Sequence, residues 1–391
     1  MFIDVFESAK TSAEVKEREH TVIEAIKAKK LSLHNSSLRD LAEATLGTPA
    51  MRKLADNNIG SATVALQESA DPVNLTAFSN ITGALIQEGV YEAYASPEFI
   101  GDKLVTAETS RRDGARVPGL ADIDDDAMVV EEGAEFPNVK FGEDYIDVPT
   151  SKKRGMKISV TRELVFFDET GRVLEMAQSV GSRLGLNKEK RILSVVIGGT
   201  NNYNRKGVAA NTYLTSGNRI NDQVQTLTDW TSVDDAMQLF ADMRDDRATA
   251  EPIMVMPDTM IVTSAKLMTA KSILSATEVR TSTNSAATQT IHANPVSGSM
   301  SIVSSRYLDW MLTQAAAAGG LALAGNVAKD YWFIGQPKKA FRYRTLFPMQ
   351  VLAATNDKNS FERDVVAEYR ADERGVAYTR APWYMVRNKP S

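Results

Sequence analysis

From Asp168 to Gly199 the chain carries one uninterrupted amphipathic stretch, in which Val173, Ala177, Val180, Leu184, Arg191 and Val195 recur at steps that fit a single helical stripe. Asp168 suits the N-cap, because its carboxylate accepts from the free amides of a first turn, and the Gly198 and Gly199 pair ends the pattern. About 28 residues at about 1.5 Å each give roughly 42 Å, longer than most domain helices. Gly181 and Gly185 are the places where such a helix can bend. The apolar repeat is neither long nor strictly heptad, which argues against a coiled coil. A chain built on this helix needs long partners to cover it.

Just upstream the period changes to two. Ile146 and Val148 alternate with Tyr145 and Asp147, and Met156, Ile158 and Val160 alternate with Lys157, Ser159 and Thr161, as in half-exposed strands. Lys152, Lys153, Arg154 and Gly155 lie between the two runs and read as a turn, so a hairpin with a basic end is expected over about 129–160. Ahead of it stands an acidic stretch: Asp122, Asp124, Asp125, Asp126, Glu131, Glu132 and Glu135. A calcium loop starting at Asp122 would need glycine at its sixth place and glutamate at its twelfth, where the chain has Ala127 and Gly133. The stretch therefore reads as a solvated charged loop.

The rest mixes helices with strands. Residues 1 to about 100 read as short helices, with a Thr11 to Glu14 capping box leading a run to Lys30, and a second helix from Ser36 or Ser37 to Gly47. Helices this short are unstable alone and must pack on something. Residues 200 to about 228 read as loop. A helix capped near Thr231 or Ser232 shows Val233, Met237, Phe240 and Met243 on one side, and EPIMVMPDTM reads as a short buried strand stopped by Pro257. Ser301–Leu308 and Asp330–Ile334 are further strand candidates; Ala315–Gly325 reads equally as a mobile loop or a weak helix. Near the end Phe341, Tyr343 and Thr345 alternate with arginines. Val365, Ala367 and Tyr369 begin a second strand, with Asp372 to Gly375 expected to turn it back through Val376 to Thr379.

Composition removes competitors. A chain of 391 residues with 43% hydrophobic and 24% charged content can bury two cores and is not disordered. Having no cysteine, it has no disulfide, no thiolate nucleophile and no zinc site that needs sulfur. The start of the chain does not read as a secretory signal and no window reads as a membrane span. A net charge of -5 gives no general attraction to nucleic acid. No phosphate-binding glycine loop, dinucleotide fingerprint, zincin motif or serine elbow occurs, and His20, His34 and His292 are scattered. No cofactor and no metal site is expected, and no catalytic residue is singled out.

The segments Val148–Gly199 and FERDVVAEYRADERGVAYTRAPWYMV (361–386) together resemble the tailed-bacteriophage major capsid protein family, whose fold is shared with encapsulins. Phe361, Asp364, Arg370, Gly375 and Pro382 fit its terminal pattern, and the resemblance covers about Ile81 to the end. It implies an α+β fold in five stretches. These are an N-terminal helical arm (1–100), an extended β-hairpin loop with its lead-in strand (101–160), a peripheral domain of long spine helix and loop (161–228), an axial α/β domain (229–335), and return strands of the peripheral domain (336–391). It implies a non-enzymatic protein that self-assembles, as hexamers and pentamers, into an icosahedral shell around the phage genome. The shell would be built in the host cytoplasm and become the virion capsid.

Further partners would be portal and scaffolding or decoration proteins, with the packaged double-stranded DNA touched only weakly and no membrane involved. Asp124, Asp125, Asp126, Glu131, Glu132, Lys152, Lys153 and Arg154 are then the candidate assembly contacts, their charges choosing register and neighbour. In some relatives a lysine of the hairpin joins covalently to an asparagine of a neighbour; Lys152 or Lys153 and Asn356 or Asn359 are the residues that would do so here, although ordinary surface roles suit them better. Two other readings stand beside this one. One is an encapsulin-like compartment around an enzyme cargo, against which the long helical start counts; the other is a soluble enzyme of two α/β domains.

Overall fold

The computed structural model describes residues 12–27, 72–118, 130, 132–133, 135, 145–161, 172–200, 203–245, 251–282, 289–354 and 365–390. In chain order the helices are α1 (Ser12–Lys27), α2 (Pro72–Tyr94), α3 (Gly101–Leu104), α4 (Arg172–Val196), α5 (Trp230–Asp242), α6 (Leu267–Ser275), α7 (Arg306–Thr313), α8 (Gly325–Ala328) and α9 (Pro337–Ala340). The first strands are β1 (Thr106–Thr109), β2 (Arg116–Pro118), β3 (Tyr145–Asp147), β4 (Lys152–Thr161), β5 (Asn204–Arg205), β6 (Val208–Ala209) and β7 (Asp222–Val224). Then come β8 (Thr259–Val262), β9 (Glu278–Ser282), β10 (Gln289–Ala293), β11 (Ser301–Ser304), β12 (Trp332–Gly335), β13 (Phe341–Ala354), β14 (Val365–Thr379) and β15 (Met385–Lys389). The architecture is α+β, as the sequence implies.

The chain divides into two compact units, each assembled from three stretches. The first takes Met1–Pro97, Lys153–Asn187 and Phe347–Arg374; the second takes Glu98–Lys152, Lys188–Leu346 and Gly375–Ser391.

In the first unit α1 and α2 pack on each other. Val22 and Ile26 lie one helical turn apart and are buried, as are Ile81, Leu85, Ile86 and Val90 of α2. The start of α4 adds Val173, Ala177 and Leu184 to the buried set. At Gly181 an added Cβ would lie 2.3 Å from the Val90 carbonyl oxygen, so α4 and α2 touch backbone to backbone there. The expected bend point is a point of contact, inside one helix that runs without a break from Arg172 to Val196. The Asp168 cap, the Thr11 capping box and the helix expected from Ser36 or Ser37 to Gly47 lie outside the described residues.

The second unit is organised on a five-stranded sheet of order β11-β8-β12-β15-β7, in which β12 runs antiparallel to both β8 and β15. Strand alternation sends its side chains to two cores. Met260, Val262, Trp332, Ile334 and Val386 join α5 and α6 residues such as Val233, Phe240 and Ile273 on one face. Ile261, Phe333 and Met385 join the end of α4 (Ile192, Leu193, Val195, Val196), α7 (Leu308, Met311, Leu312) and the strand residues Phe341, Tyr343 and Ala377 on the other. The closing strands thus complete a core with the long helix, as expected. A smaller sheet, β2-β3-β5-β6, buries Ile146, Val148, Tyr203 and Tyr378.

Several local expectations change. The N-cap of α5 is Asp229, whose side chain accepts from the amides of Thr231 and Ser232, two places before the expected position. EPIMVMPDTM forms no buried strand; β8 begins only after Pro257, and Met254 and Met256 stand in the open. Ser301–Leu308 splits into β11 and the start of α7, because the Ser305 side chain accepts from the Tyr307 amide and caps a helix. Ala315–Gly325 holds a single 3₁₀ turn, Ala316–Ala318, followed by buried Gly319 and Gly320.

The two expected turns are both strand. Lys152 to Gly155 lie inside β4, and Asp372 to Gly375 inside a continuous β14, whose last residues continue forward instead of returning. The order β1-β13-β14-β4 pairs these two strands with each other. Their glycines serve close approach: a Cβ on Gly155 would meet the Ala371 carbonyl at 2.8 Å, and one on Gly375 would meet the Tyr343 hydroxyl at 2.7 Å.

Candidate assembly surfaces

The charged residues of β4 meet an acidic strand. Lys153 Nζ lies 3.0 Å from Asp372 Oδ2 and Lys157 Nζ 2.6 Å from Glu368 Oε1, while Arg370 Nε reaches Asp372 Oδ1 at 3.3 Å. Asp372, Glu368 and Glu373 are buried, and Glu373 accepts from the Tyr94 hydroxyl. The ladder follows from alternation, since Lys153 and Lys157 are an even number of residues apart, as are Glu368 and Asp372, so each pair shares one strand face. Removing either lysine would take a cation from a buried carboxylate, which costs more than an exposed ion pair yields.

The proposed contact residues are therefore divided. Asp124, Asp125, Asp126 and Glu131 lie outside the described residues, as do Asn356 and Asn359, while Glu132 is exposed. Lys153 is half-exposed and engaged with Asp372. Lys152 is exposed, Arg154 is half-buried, and neither is free of partners within the chain. The structure thus brings Lys153 together with Asp372, and Lys157 with Glu368, acids that lie more than 200 positions away and carry no local signal of the pairing.

In the second unit, polar nodes that local sequence patterns did not reveal hold the frame. Asp222 on β7 receives Arg387 Nη2 at 2.8 Å, Arg387 Nε at 3.1 Å and Lys389 Nζ at 3.1 Å. Burial pushes its carboxyl up, but these two cations outweigh it and hold the group below the usual carboxylate range. Arg387 also lies over the Tyr213 ring at 4.8 Å. Tyr213 in turn donates to the Val196 carbonyl at the end of α4, and burial raises its hydroxyl far above the ordinary value.

Glu189 is buried on α4 and accepts from the amides of Ile100 (3.1 Å) and Gly101 (2.7 Å), which anchors the start of α3. Desolvation outweighs those two donors and pushes its carboxyl up. Glu108 on β1 accepts from the Tyr378 hydroxyl at 2.8 Å, with Arg342 and Arg344 at 3.6 and 3.5 Å.

Two surface features of the second unit are left without an internal role. The extended run ahead of β8 turns Ile253 and Val255 inward and leaves Met254 94% and Met256 83% exposed. An open cleft of about 800 Å³ is lined by Glu98, Lys190, Ser305, Arg306, Tyr307 and Trp310, with Lys190 Nζ 4.4 Å over the Trp310 ring. Among the described residues no group of three or more His, Cys, Asp or Glu is placed to hold a metal ion, and no helix is long and apolar enough to cross a membrane.

The sequence profile of the phage capsid protein family matches residues 145–387, well over half of the chain. No curated protein sequence matches. Among solved structures the chain is similar to the capsid of the cyanophage P-SCSP1u, at 13% identity and a TM-score of 0.44 over 74% of this chain and 86% of that one. It is similar to the mature capsid of bacteriophage PhiM1, at 10% identity and 0.44 over 74% and 86%. A virus-like particle from Pyrococcus furiosus matches at 11% identity and 0.36 over 78% and 97%. The long helix and the paired extended strands fall within the matched stretch, and the chain belongs to the phage capsid protein family.

Proposed function

We propose that this capsid protein works by association alone, catalysing no reaction and holding no cofactor. Copies assemble as hexamers and pentamers in the host cytoplasm, with portal and scaffolding or decoration proteins as partners, and enclose double-stranded DNA that they contact weakly. Many modest contacts repeated over closed symmetry make such a shell far more stable than any single pair. In this reading residues 1–100 act as an arm and 101–160 as the extension that reaches a neighbour. Stretches 161–228 and 336–391 form the peripheral body, and 229–335 the axial domain. The acidic run from Asp124 to Glu132 and the basic residues Lys152 to Arg154 set register between copies.

The observation that carries the reading is the family match across residues 145–387. Negative-stain microscopy of the purified chain tests it. Shells or hexameric sheets are the expected outcome, and a small discrete oligomer at every concentration would overturn it.

A further inference from the structure

We propose that the Met254–Met256 ridge of one copy seats in the Lys190–Arg306–Trp310 cleft of the next, a head-to-tail contact between copies of this chain. The inference rests on the reading of the protein as a self-assembling shell subunit and names the surfaces that one of its contacts would use.

The ridge is built to protrude. Ile253 and Val255 pack against the core that also takes Met260, Val262, Trp332 and Ile334, so the alternation of an extended segment sends Met254 and Met256 outward. Two adjacent outward thioethers, 94% and 83% exposed, are costly to leave in water. Exposed Glu251 and Asp258 stand at the two ends of the run and give it an acidic frame.

The cleft has complementary chemistry. Tyr307 and Trp310 offer aromatic surface, on which methionine sulfur packs favourably. Lys190 and Arg306 outnumber Glu98, so the lining carries a net positive charge opposite the two acids of the ridge.

Position decides who occupies it. Tyr307 packs on the core fed by Ile261 and Phe333, on the opposite face of the five-stranded sheet from the ridge. A subunit cannot fold its own ridge through its own sheet into its own cleft, so the occupant is a second copy. Because the two surfaces differ, the contact is heterologous and leaves a free ridge and a free cleft at the ends, and repetition closes a ring.

Two measurements on the full chain test this. Peroxide converts exposed thioethers to sulfoxides, and oxidation of Met254 and Met256 followed by peptide mass spectrometry should slow about ten-fold on passing from free subunits to assembled particles. Buried Met260 serves as the slow standard in both states. Equal rates in particles and free subunits would overturn the proposal. The chain has no cysteine, so the double variant Met256→Cys with Arg306→Cys can be joined by a short bis-maleimide. A ladder of covalent multimers is expected from assembled material, and only monomer from either single variant. Protection of the methionines without a ladder would mean that another surface covers the ridge, and would also overturn it. If the wild-type chain forms no particles, the association reading itself falls and takes the inference with it. If particles form with the ridge still reactive, only the inference falls.

Discussion

Asp222 and Glu189 are both buried carboxylates of the second unit, yet they bias stability in opposite directions with pH. For Asp222 the folded-state pKa lies below the unfolded one. Its contribution is therefore fully present above about pH 4, the ordinary carboxylate value, and is lost as pH falls through the folded value. For Glu189 burial raises the folded value. The folded state binds that proton better, so its contribution is greatest below the ordinary value and declines as pH rises through the folded one. Asp222→Asn leaves Arg387 without its anion and should cost about 3 kcal/mol at pH 7. Calorimetry across pH 2 to 7 should show the variant melting several degrees lower at neutral pH, with the gap to wild type closing as the wild-type carboxylate is protonated. A constant gap would mean that the Asp222 charge is not what holds β15 to β7.

At the scale of elements the crossing of α2 and α4 gives a prediction of unusual sign. Gly→Ala inside an exposed helix stabilises by about 0.5–1 kcal/mol through propensity. At Gly181 the new methyl would lie 2.3 Å from the Val90 carbonyl, so Gly181→Ala should instead destabilise by about 1–3 kcal/mol. Thermal unfolding followed by circular dichroism reads the sign directly, and a rise in melting temperature would remove the close crossing from the account. The same elements show what sequence can and cannot disclose. The long helix was legible because its apolar stripe is a local pattern, and its end at Gly198 and Gly199 was legible for the same reason. The two false turns at Lys152–Gly155 and Asp372–Gly375 were not, because a cluster of charges before a glycine looks alike whether it rounds a corner or pairs with an opposite cluster 200 residues away. The Asp222 node was equally hidden, its partners Arg387 and Lys389 being recognisable only once β7 and β15 lie side by side.

At the scale of the molecule the sheet order β11-β8-β12-β15-β7 puts one of the last strands of the chain in an interior position. A chain stopped after Tyr384 would lose β15 and with it the cations of Asp222, leaving the facing edges of β12 and β7 unpaired. The truncated chain should fall into the insoluble fraction on expression and show no cooperative melt in any soluble remainder. A soluble, cooperatively folded product would show that the interior strand is dispensable.

Each compact unit also draws one of its three stretches from beyond residue 346. On a ribosome adding about 5–20 residues per second, neither unit can be finished for on the order of tens of seconds after its first helix emerges. Both units therefore stay incomplete until the stretch beyond residue 346 has been made. A topology that interleaves early and late segments is in this sense a timer on the completion of each unit.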